Sequence, residues 1–246
     1  NMNIFYKIPY YFLHRNPFFG LIFKYFIREF HYKYNGSILS FEIPFKNLTL
    51  SWLPGFLFKT YELNDVSLIK KHIVKNEKVL NIGGGIGFIA SLIYKITNEK
   101  VTIVEVDDRI IEILNKNLKR NKINFQLIDK PLSLSKETDF FINKNQNYIS
   151  NTTIQKTTTD NNPSNSEFVD SKFFDKFDVL VIDAEGYEEY FFSNLLEINF
   201  DKIIIEFHPK NYLNLTSQDI ENILTKNNYK EMDSYFQSKV FKKNNY

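Results

Sequence analysis

Residues 79–88 of the 246-residue chain run Val-Leu-Asn-Ile-Gly-Gly-Gly-Ile-Gly-Phe, a short apolar stretch that passes into four closely spaced glycines. The pattern predicts a buried strand over 78–82 and a helix over 87–96. Glycine between them lets the backbone turn sharply and approach a bound molecule without a Cβ in the way. A strand, a glycine-rich turn and a helix in this order predict a cofactor-binding turn.

Strands and helices alternate on both sides of this turn. Further strands are predicted over 101–104, 125–128, 179–183 and 203–205, with a closing hairpin over 229–242. Helices are predicted from Asp65, which suits an N-cap, over 108–121, over about 188–198, and from Thr216 to about 226, where Asp219 completes a capping box. This alternation indicates an α/β protein with a doubly wound, mostly parallel sheet.

The segment before the main domain differs from it in composition. Residues 1–60 are expected to form an aromatic and basic N-terminal cap, with a helix over 19–32 and a short hairpin over 38–52, ahead of a domain at 61–246. Residues 2–35 hold five Lys or Arg against one acid, so the alternative to a packed cap is an amphipathic helix on an anionic membrane surface.

A polar insertion is predicted at about 143–170. From 143 to 167, 17 of 25 residues are Ser, Thr, Asn or Gln, and none is Gly. Such a segment has too little apolar surface to offset its ordering entropy, so we expect irregular structure there.

Bulk composition narrows the class of protein. The formal net charge is +2, which disfavours a dedicated nucleic-acid binder. The absence of Cys excludes disulfides, thiolate catalysis and Cys-ligated zinc, and it fits a reducing compartment. No stretch approaches the roughly 18 apolar residues of a membrane span. We therefore expect a cytoplasmic protein without a nucleic-acid partner, in which the N-terminal segment is the candidate for peripheral membrane contact.

Two cofactor classes use a turn of this kind. In the dinucleotide pattern Gly-x-Gly-x-x-Gly, a count from Gly83 puts the third glycine at Phe88, and a count from Gly85 puts it at Ala90. The frame that fits better is Asn-x-Gly-x-Gly-x-Gly over 81–87, which resembles the first motif of class I methyltransferases.

An acidic residue ends the next predicted strand. Glu105 can accept hydrogen bonds from both hydroxyls of a ribose, which supports either cofactor class. It disfavours NADP, whose extra phosphate would meet a negative charge. Asp107 and Asp108 are more simply explained as N-caps of the following helix.

Four segments together resemble the FkbM family of methyltransferases. Residues 178–188, Asp-Val-Leu-Val-Ile-Asp-Ala-Glu-Gly-Tyr-Glu, resemble the family's DLLKIDVEGAE, and 79–88 resemble VLDIGANIGF. Residues 104–108 with 114–121 look like FEPDP followed by LKRNIELN, and 205–208 are similar to the family's E-x-H after the fifth strand. Tyr61 and Glu62 resemble a Tyr-Glu pair that precedes the first family strand. The resemblance covers about residues 60–242.

The resemblance implies a seven-stranded class I methyltransferase sheet and S-adenosyl-L-methionine as the cofactor. It also implies O-methylation of a sugar hydroxyl in a glycan or glycoconjugate. The family usually has Asp where this chain has Asn81, so Glu62 or Asp183 would supply the anion that faces the cofactor's ammonium group. The cofactor contacts expected on this basis are Glu62, Asn81, Gly83, Gly84, Gly85, Ile86, Glu105, Val106, Lys130 and Asp183.

Four further side chains with useful chemistry follow two adjacent strands: Asp183, Glu185, Glu206 and His208. Ligands bind beyond the carboxyl ends of such strands, and methylation of an alcohol is helped by a base. We expect His208 to be that base, oriented by Glu206 or Glu185, with Asp183 near the methionine part of the cofactor. The alternative is that His208 only hydrogen-bonds the loop before Pro209.

Two further expectations concern a metal ion and the first turn of the following helix. The same carboxylates and imidazole suit Mg²⁺ or Mn²⁺, although a metal-free site is the favoured expectation. Glu188 and Glu189 are expected in the first turn of a helix, where they complement its dipole.

Three rival functions stay open. Residues 82–85 and 104–107 also resemble motifs of spermidine-synthase-type aminopropyltransferases, although 183–186 has no counterpart there. An NAD-dependent oxidoreductase is disfavoured by the misplaced third glycine. A degenerate cofactor fold that serves as a binding module at a membrane surface is suggested by Asn81 and the basic N-terminal segment.

Overall fold

The computed structural model describes residues 29–43, 61–134, 139–144, 152–157, 166–194 and 198–244. Its strands are β1 (Glu29–Tyr34), β2 (Ser37–Glu42), β3 (Val79–Ile82), β4 (Val101–Val104), β5 (Phe125–Ile128), β6 (Leu132–Ser133), β7 (Asp139–Lys144), β8 (Thr152–Thr157), β9 (Glu167–Phe168), β10 (Val179–Ile182), β11 (Lys202–Glu206), β12 (Tyr229–Tyr235) and β13 (Ser238–Lys243). Its helices are α1 (Leu63–His72), α2 (Phe88–Thr97), α3 (Asp108–Arg120), α4 (Tyr187–Asn194) and α5 (Ser217–Lys226), with 3₁₀ turns at Ser171–Lys176 and Pro209–Asn211.

The central sheet has seven strands in the order β12–β13–β11–β10–β3–β4–β5. The strands from β11 to β5 are parallel, whereas β13 runs antiparallel to both β11 and β12. β3 is the first of these strands in the sequence. β4 and β5 follow on one side of it, and β10 and β11 then follow on the other side. This is the doubly wound, class I methyltransferase-like sheet that the sequence predicted.

Alternate residues of the strands belong to two separate cores. Val79 and Val181 pack with residues of α1, α2 and α3, whereas Leu80 and Ile182 pack with residues of α4 and α5. Successive side chains of a strand point to opposite faces, so nearly continuous apolar strands are needed when both faces are covered. The strand ends are thereby the place where polar side chains can reach solvent and ligands.

A hairpin, β1–β2, packs outside α2 and α3 and turns at Asn35 and Gly36. Both residues have positive φ, 44° and 79°, as a type I′ turn requires. The predicted helix over 19–32 is wrong for residues 29–32, and the hairpin lies earlier than 38–52. The Asn-Gly pair and the alternation of Phe30, Tyr32 and Tyr34 favour a strand over a helix here. The rest of those predictions falls on 1–28 and 44–60, outside the described residues.

Two asparagines hold this hairpin: Asn117 of α3 and Asn121, the C-cap of that helix. Asn117 Nδ2 donates to the carbonyls of Glu42 and Ile86, at 3.0 and 2.9 Å, and its Oδ1 accepts from Glu42 N at 2.7 Å. Asn121 makes the equivalent pair of bonds to the backbone of Ser40, at 2.8 and 2.9 Å. Because an edge strand needs partners for its free backbone groups, these amides replace a neighbouring strand. Asn117 also ties the hairpin to the glycine turn.

Two other predictions need correction. Asp65 does not cap α1, because the N-cap is Glu62 and Asp65 lies inside the first turn with its side chain buried. Within 143–170, Thr152–Thr157 pairs with Asp139–Lys144 and Glu167–Phe168 pairs with Leu132–Ser133, so this region is not irregular throughout. The Thr residues of β8 favour an extended backbone despite their polarity. The insertion itself and the division at residue 60 stay predictions.

The remaining elements agree with the sequence predictions to within a few residues, and Thr216 and Asp219 form the predicted capping box. None of the described helices combines the length and the apolar character that crossing a membrane requires.

Replacing Asn117 with Ala should lower the free energy of unfolding by about 2–4 kcal/mol, because three backbone groups lose their partner. The matched control is Asn115→Ala on the same helix, whose side chain bonds only the carbonyl one turn earlier. It should cost about 0.5 kcal/mol or less. Urea unfolding measures both, and equal losses would show that Asn117 does not anchor the hairpin.

Candidate active site

A cleft opens at the carboxyl ends of β3, β4 and β10, beside the strand at which the sheet grows in opposite directions. Its walls come from residues 61–65, the glycine turn, 104–107, Pro131 and 181–187. This is the place where open α/β sheets bind their ligands. The cleft therefore lies where the sequence predicted a cofactor.

The glycine turn closes one side of the cleft by direct backbone contact. Gly83 has a φ of 94°, and a Cβ built on it would lie 1.7 Å from the carbonyl oxygen of Asp183. Its N–H donates to the carbonyl of Val104 at 2.9 Å. No side chain fits at this position. Because Gly83 has no Cβ, the ends of β3, β4 and β10 can meet.

Glu105 is fixed by three backbone donors. Its Oε2 accepts from Gly85 N at 2.8 Å, and its Oε1 accepts from Val106 N and Asp107 N at 2.8 and 2.9 Å. Burial raises the pKa of Glu105, and these three hydrogen bonds offset part of the rise. The carboxylate ties the glycine turn to the end of β4 and lines the cleft, as a ribose-binding residue must.

Apolar side chains line the cleft beyond Glu105. Val106, Ile110 and Pro131 form this part, which suits the flat face of a purine ring. Asp107 caps α3, as predicted, and is paired with Arg109, whose Nε donates to its carboxylate at 2.8 Å.

Two of the expected cofactor contacts lie elsewhere. Lys130 is exposed and does not line the cleft, although its neighbour Pro131 does. Ile86 is buried beneath the turn, where its carbonyl accepts from Asn117. The other expected contacts all line the cleft: Glu62, Asn81, Gly83, Gly84, Gly85, Glu105, Val106 and Asp183.

Asn81, which stands where the resembled family has Asp, is 1% exposed. Its Nδ2 donates to the carbonyl of Gly83 at 3.1 Å, and this bond sets the orientation of the amide. Its Oδ1 has no hydrogen-bond partner. A buried acceptor without a donor is costly, so this oxygen is available to a ligand that donates hydrogen bonds.

The cleft is strongly acidic. Six carboxylates line it, those of Glu62, Asp65, Glu105, Asp107, Asp183 and Glu185, and the described lining residues include no Lys, Arg or His. Burial raises the pKa of Glu62 to about 8, although a hydrogen bond from Tyr61 opposes the rise. Burial likewise raises the pKa of Asp183 well above its usual range. Such a wall favours a cationic ligand and opposes the pyrophosphate of a dinucleotide.

The predicted catalytic residues also come together, next to the cleft. His208 Nε2 lies 3.5 Å from Asp183 Oδ1 and 3.8 Å from Glu185 Oε1. Asp183, Glu206 and His208 each present one atom within 4.8 Å of the others. The ring of His208 therefore faces these carboxylates rather than the loop at Pro209. Its backbone bonds that loop: the N–H donates to the Tyr212 hydroxyl and the carbonyl accepts from Asn211 N.

Glu188, not Glu206 or Glu185, contacts Nδ1 of His208, at 3.2 Å. Glu188 is completely buried and accepts from the N–H groups of Ala184 and Gly186, both at 2.8 Å. Its predicted place in the first turn of α4 is correct, but its role as the orienting carboxylate was missed. The available signal was its position as the last residue of the segment 178–188.

The same contacts set the protonation of His208. Burial lowers its pKa, but the hydrogen bond to Glu188 and the charges of Glu188, Asp183 and Glu185 raise it to about 10. The ring is thus protonated at neutral pH in the free protein. A protonated ring cannot accept a proton, so the predicted base role requires that a bound group first displaces this proton.

Residues 62–184, half of the chain, match the family model of the spermine/spermidine synthase domain. The chain belongs to this family. The matched region contains the glycine turn and Glu105 and ends at Ala184, before Glu185, Glu206 and His208. It agrees with the resemblance of 82–85 and 104–107 to aminopropyltransferases. The segments that resemble the FkbM family after residue 184 lie outside it.

Individual proteins give more distant similarities. The chain is 30% identical over 74 residues to a ribosomal protein L11 methyltransferase of Thermotoga neapolitana; the match covers 30% of this chain and 27% of that protein. The chain thus spans about a quarter of the length of the curated relative that it matches.

Two solved structures are similar to the chain over most of its length. The L11 methylase of Lactobacillus delbrueckii subsp. bulgaricus is 17% identical, with a TM-score of 0.42 over 73% of this chain and 77% of that one. TYW2 of M. jannaschii, in complex with AdoMet, is 13% identical, with a TM-score of 0.39 over 88% and 87%.

Replacing Gly83 with Ala should prevent stable folding or cost more than about 3 kcal/mol, because the new Cβ meets the Asp183 carbonyl and the positive φ is strained. The control is Gly36→Ala, which has a similar φ of 79° but no atom within 4 Å of the new Cβ. It should cost about 1 kcal/mol. Chemical denaturation of both compares them, and equal costs would contradict the close approach of β3 and β10.

Proposed function

We propose that the protein is an S-adenosylmethionine-dependent O-methyltransferase whose acceptor is a sugar hydroxyl in a glycan or glycoconjugate. The observation that carries the cofactor assignment is the cleft itself, in which a fixed Glu105 adjoins the glycine turn within an acidic wall. The acceptor class rests on the resemblance of 178–188 and 205–208 to the FkbM family.

Each part of this cofactor, the ribose, the adenine and the ammonium group, has a matching group of side chains in the cleft. Glu105 accepts from the ribose hydroxyls, and Val106 and Pro131 cover the adenine. Asn81 Oδ1 and the carboxylate of Glu62 accept from the ammonium group, so the substitution of Asn for Asp does not leave that group without acceptors. When bound, S-adenosylmethionine supplies an activated methyl group.

The acceptor binds where the cleft meets the cluster of predicted catalytic residues, Asp183, Glu185, Glu206 and His208. Asp183 and Glu185 have about a third of their side-chain surface exposed there, at 32% and 35%. Carboxylates at this edge accept hydrogen bonds from the hydroxyl groups of a sugar and hold the reacting oxygen near Asp183. Removal of the hydroxyl proton is then the task of this cluster.

A second candidate function is aminopropyl transfer to an amine, as in the spermidine synthases. Two observations favour it, the family match over 62–184 and the acidic wall, which also suits a cationic diamine. The lining residues that the structure describes include no Lys, Arg or His to pair with the carboxylate of S-adenosylmethionine, a group that decarboxylated S-adenosylmethionine does not have.

The two candidates differ in donor and in product mass. Purified protein should be titrated with S-adenosylmethionine, S-adenosylhomocysteine and decarboxylated S-adenosylmethionine, and then incubated with a glycan panel and with diamines. Our proposal expects S-adenosylhomocysteine to bind and a glycan to gain the mass of a methyl group. An aminopropylated diamine without methyl transfer would establish the second candidate. Folded protein that binds none of the donors would instead support the degenerate binding module.

Replacing Glu105 with Gln should weaken S-adenosylhomocysteine binding at least about tenfold, which corresponds to about 1.4 kcal/mol. An amide has one acceptor oxygen for the three backbone donors and brings N–H groups to the same place. The control is Glu112→Gln on an exposed face of α3, which should bind as the unaltered chain does. Calorimetry measures both, and equal affinities would remove Glu105 from the ribose site.

Cofactor affinity should rise with pH through Glu62. This carboxyl, faced by Tyr61, Asp65 and Glu206, has a pKa of about 8 in the free protein, so below that pH it is protonated and cannot pair with an ammonium group. Affinity for S-adenosylhomocysteine should therefore fall as pH drops from about 8 to about 6.

The Glu62→Gln variant isolates this effect from other titrating groups. It should bind nearly as well as the unaltered chain near pH 6 and about tenfold more weakly above pH 8. A ratio of affinities that does not change with pH would show that Glu62 does not hold the ammonium group.

A further inference from the structure

Three side chains of metal-ligand type meet beside the cofactor cleft. Asp183, Glu206 and His208 each offer one atom, and these atoms lie within 4.8 Å of one another. At metal–ligand distances of about 2.0–2.6 Å, adjacent ligands of one octahedral ion lie roughly 3–3.7 Å apart and opposite ligands roughly 4–5 Å apart. A single ion can therefore contact all three groups after small side-chain movements.

Two buried side chains next to these groups have few partners. Asp65 is 4% exposed and Ser238 is fully buried; a hydrogen bond between them lowers the pKa of Asp65, and no other group of the described residues bonds Asp65 Oδ1 or Ser238 Oγ. Ser238 is the strand partner of Glu206, and Asp65 is near enough to raise the pKa of both Glu206 and Asp183. Buried carboxyl groups are costly to ionise without compensation, and the protonated His208 ring faces several of them at once. A divalent cation that replaced the ring's Nε2 proton would stabilise more of them in the ionised form.

The orientation of His208 agrees with such a ligand. Glu188 accepts from Nδ1, so Nε2 is the atom that faces Asp183. Two backbone N–H groups hold Glu188 in place. A carboxylate that orients a histidine through one nitrogen, and leaves the other nitrogen for a metal, is the usual arrangement around protein-bound metals.

We propose that Asp183, Glu206 and His208 bind one divalent cation, Mg²⁺ or Mn²⁺, with the carboxyl group of Asp65 as a nearby acid that the ion also stabilises. Carboxylate oxygens with one imidazole suit these ions. The ion lies at the acceptor side of the cleft, where it orients an acceptor oxygen. That use of the ion rests on the proposed function, whereas the cation site does not.

The test uses Mn²⁺ and the full chain without any methyl donor. Electron paramagnetic resonance should show one bound Mn²⁺ per chain, displaced by excess Mg²⁺, and pulsed measurements should show coupling to one imidazole nitrogen. Glu206→Gln should weaken Mn²⁺ binding at least about tenfold. The control Glu231→Gln alters an exposed acid of β12 and should bind as the unaltered chain does.

Three results would overturn the proposal: no bound Mn²⁺ at millimolar concentration, bound Mn²⁺ without nitrogen coupling, or an unchanged affinity in folded Glu206→Gln. The nitrogen coupling is measured on the unaltered chain, so the test stands even if the variant does not fold. Protein that binds S-adenosylhomocysteine but no Mn²⁺ loses only the cation site. Protein that binds Mn²⁺ but no donor loses only the proposed function.

Discussion

The close approach between Gly83 and the Asp183 carbonyl is the constraint on which the rest of the site depends. It requires a position without Cβ at the end of β3, and it brings the polar end of β10 against the glycine turn. Glu105 then fixes the other side of the turn through Gly85. Three neighbouring strands thus end within reach of one ligand, although their sequences lie far apart in the chain.

The buried acids of this edge fall into two groups. Glu105, Glu188 and Glu189 accept two or three backbone N–H groups each; Glu189 holds the loop at 213–215 in this way. Backbone donors satisfy a carboxylate without adding charge, so these acids hold the backbone of this edge in place, and Glu105 and Glu188 do so in addition to the roles proposed for them above. Glu62, Asp65 and Glu206 have no such set of donors, and burial raises the pKa of each. A ligand with positive charge would favour the ionised forms of these acids.

The sequence predicted those parts of the site that depend on neighbouring residues in the chain, and it missed those that depend on contacts between distant segments. The strands, the glycine turn and the residues just after the strands follow from local periodicity, so Glu105, Asp183, Glu206 and His208 were placed correctly at one edge. Glu188 was missed because its partner His208 is 20 residues away and the contact is tertiary. Asp65 was misassigned because an acid near a helix start resembles a cap, whereas its burial depends on how α1 packs.

The family match covers one part of the site and not the other. Residues 62–184 contain every group that we assign to the cofactor, and that half of the chain is shared with the spermine/spermidine synthase domain. Glu185, Glu188, Glu206 and His208 lie beyond it, on the acceptor side. In the function that we propose, the donor cleft depends on backbone contacts such as that of Gly83. The proposed acceptor edge depends on side chains of α4, of the end of β11 and of the segments after β10 and β11, so we expect the choice of acceptor to depend mainly on residues after 184.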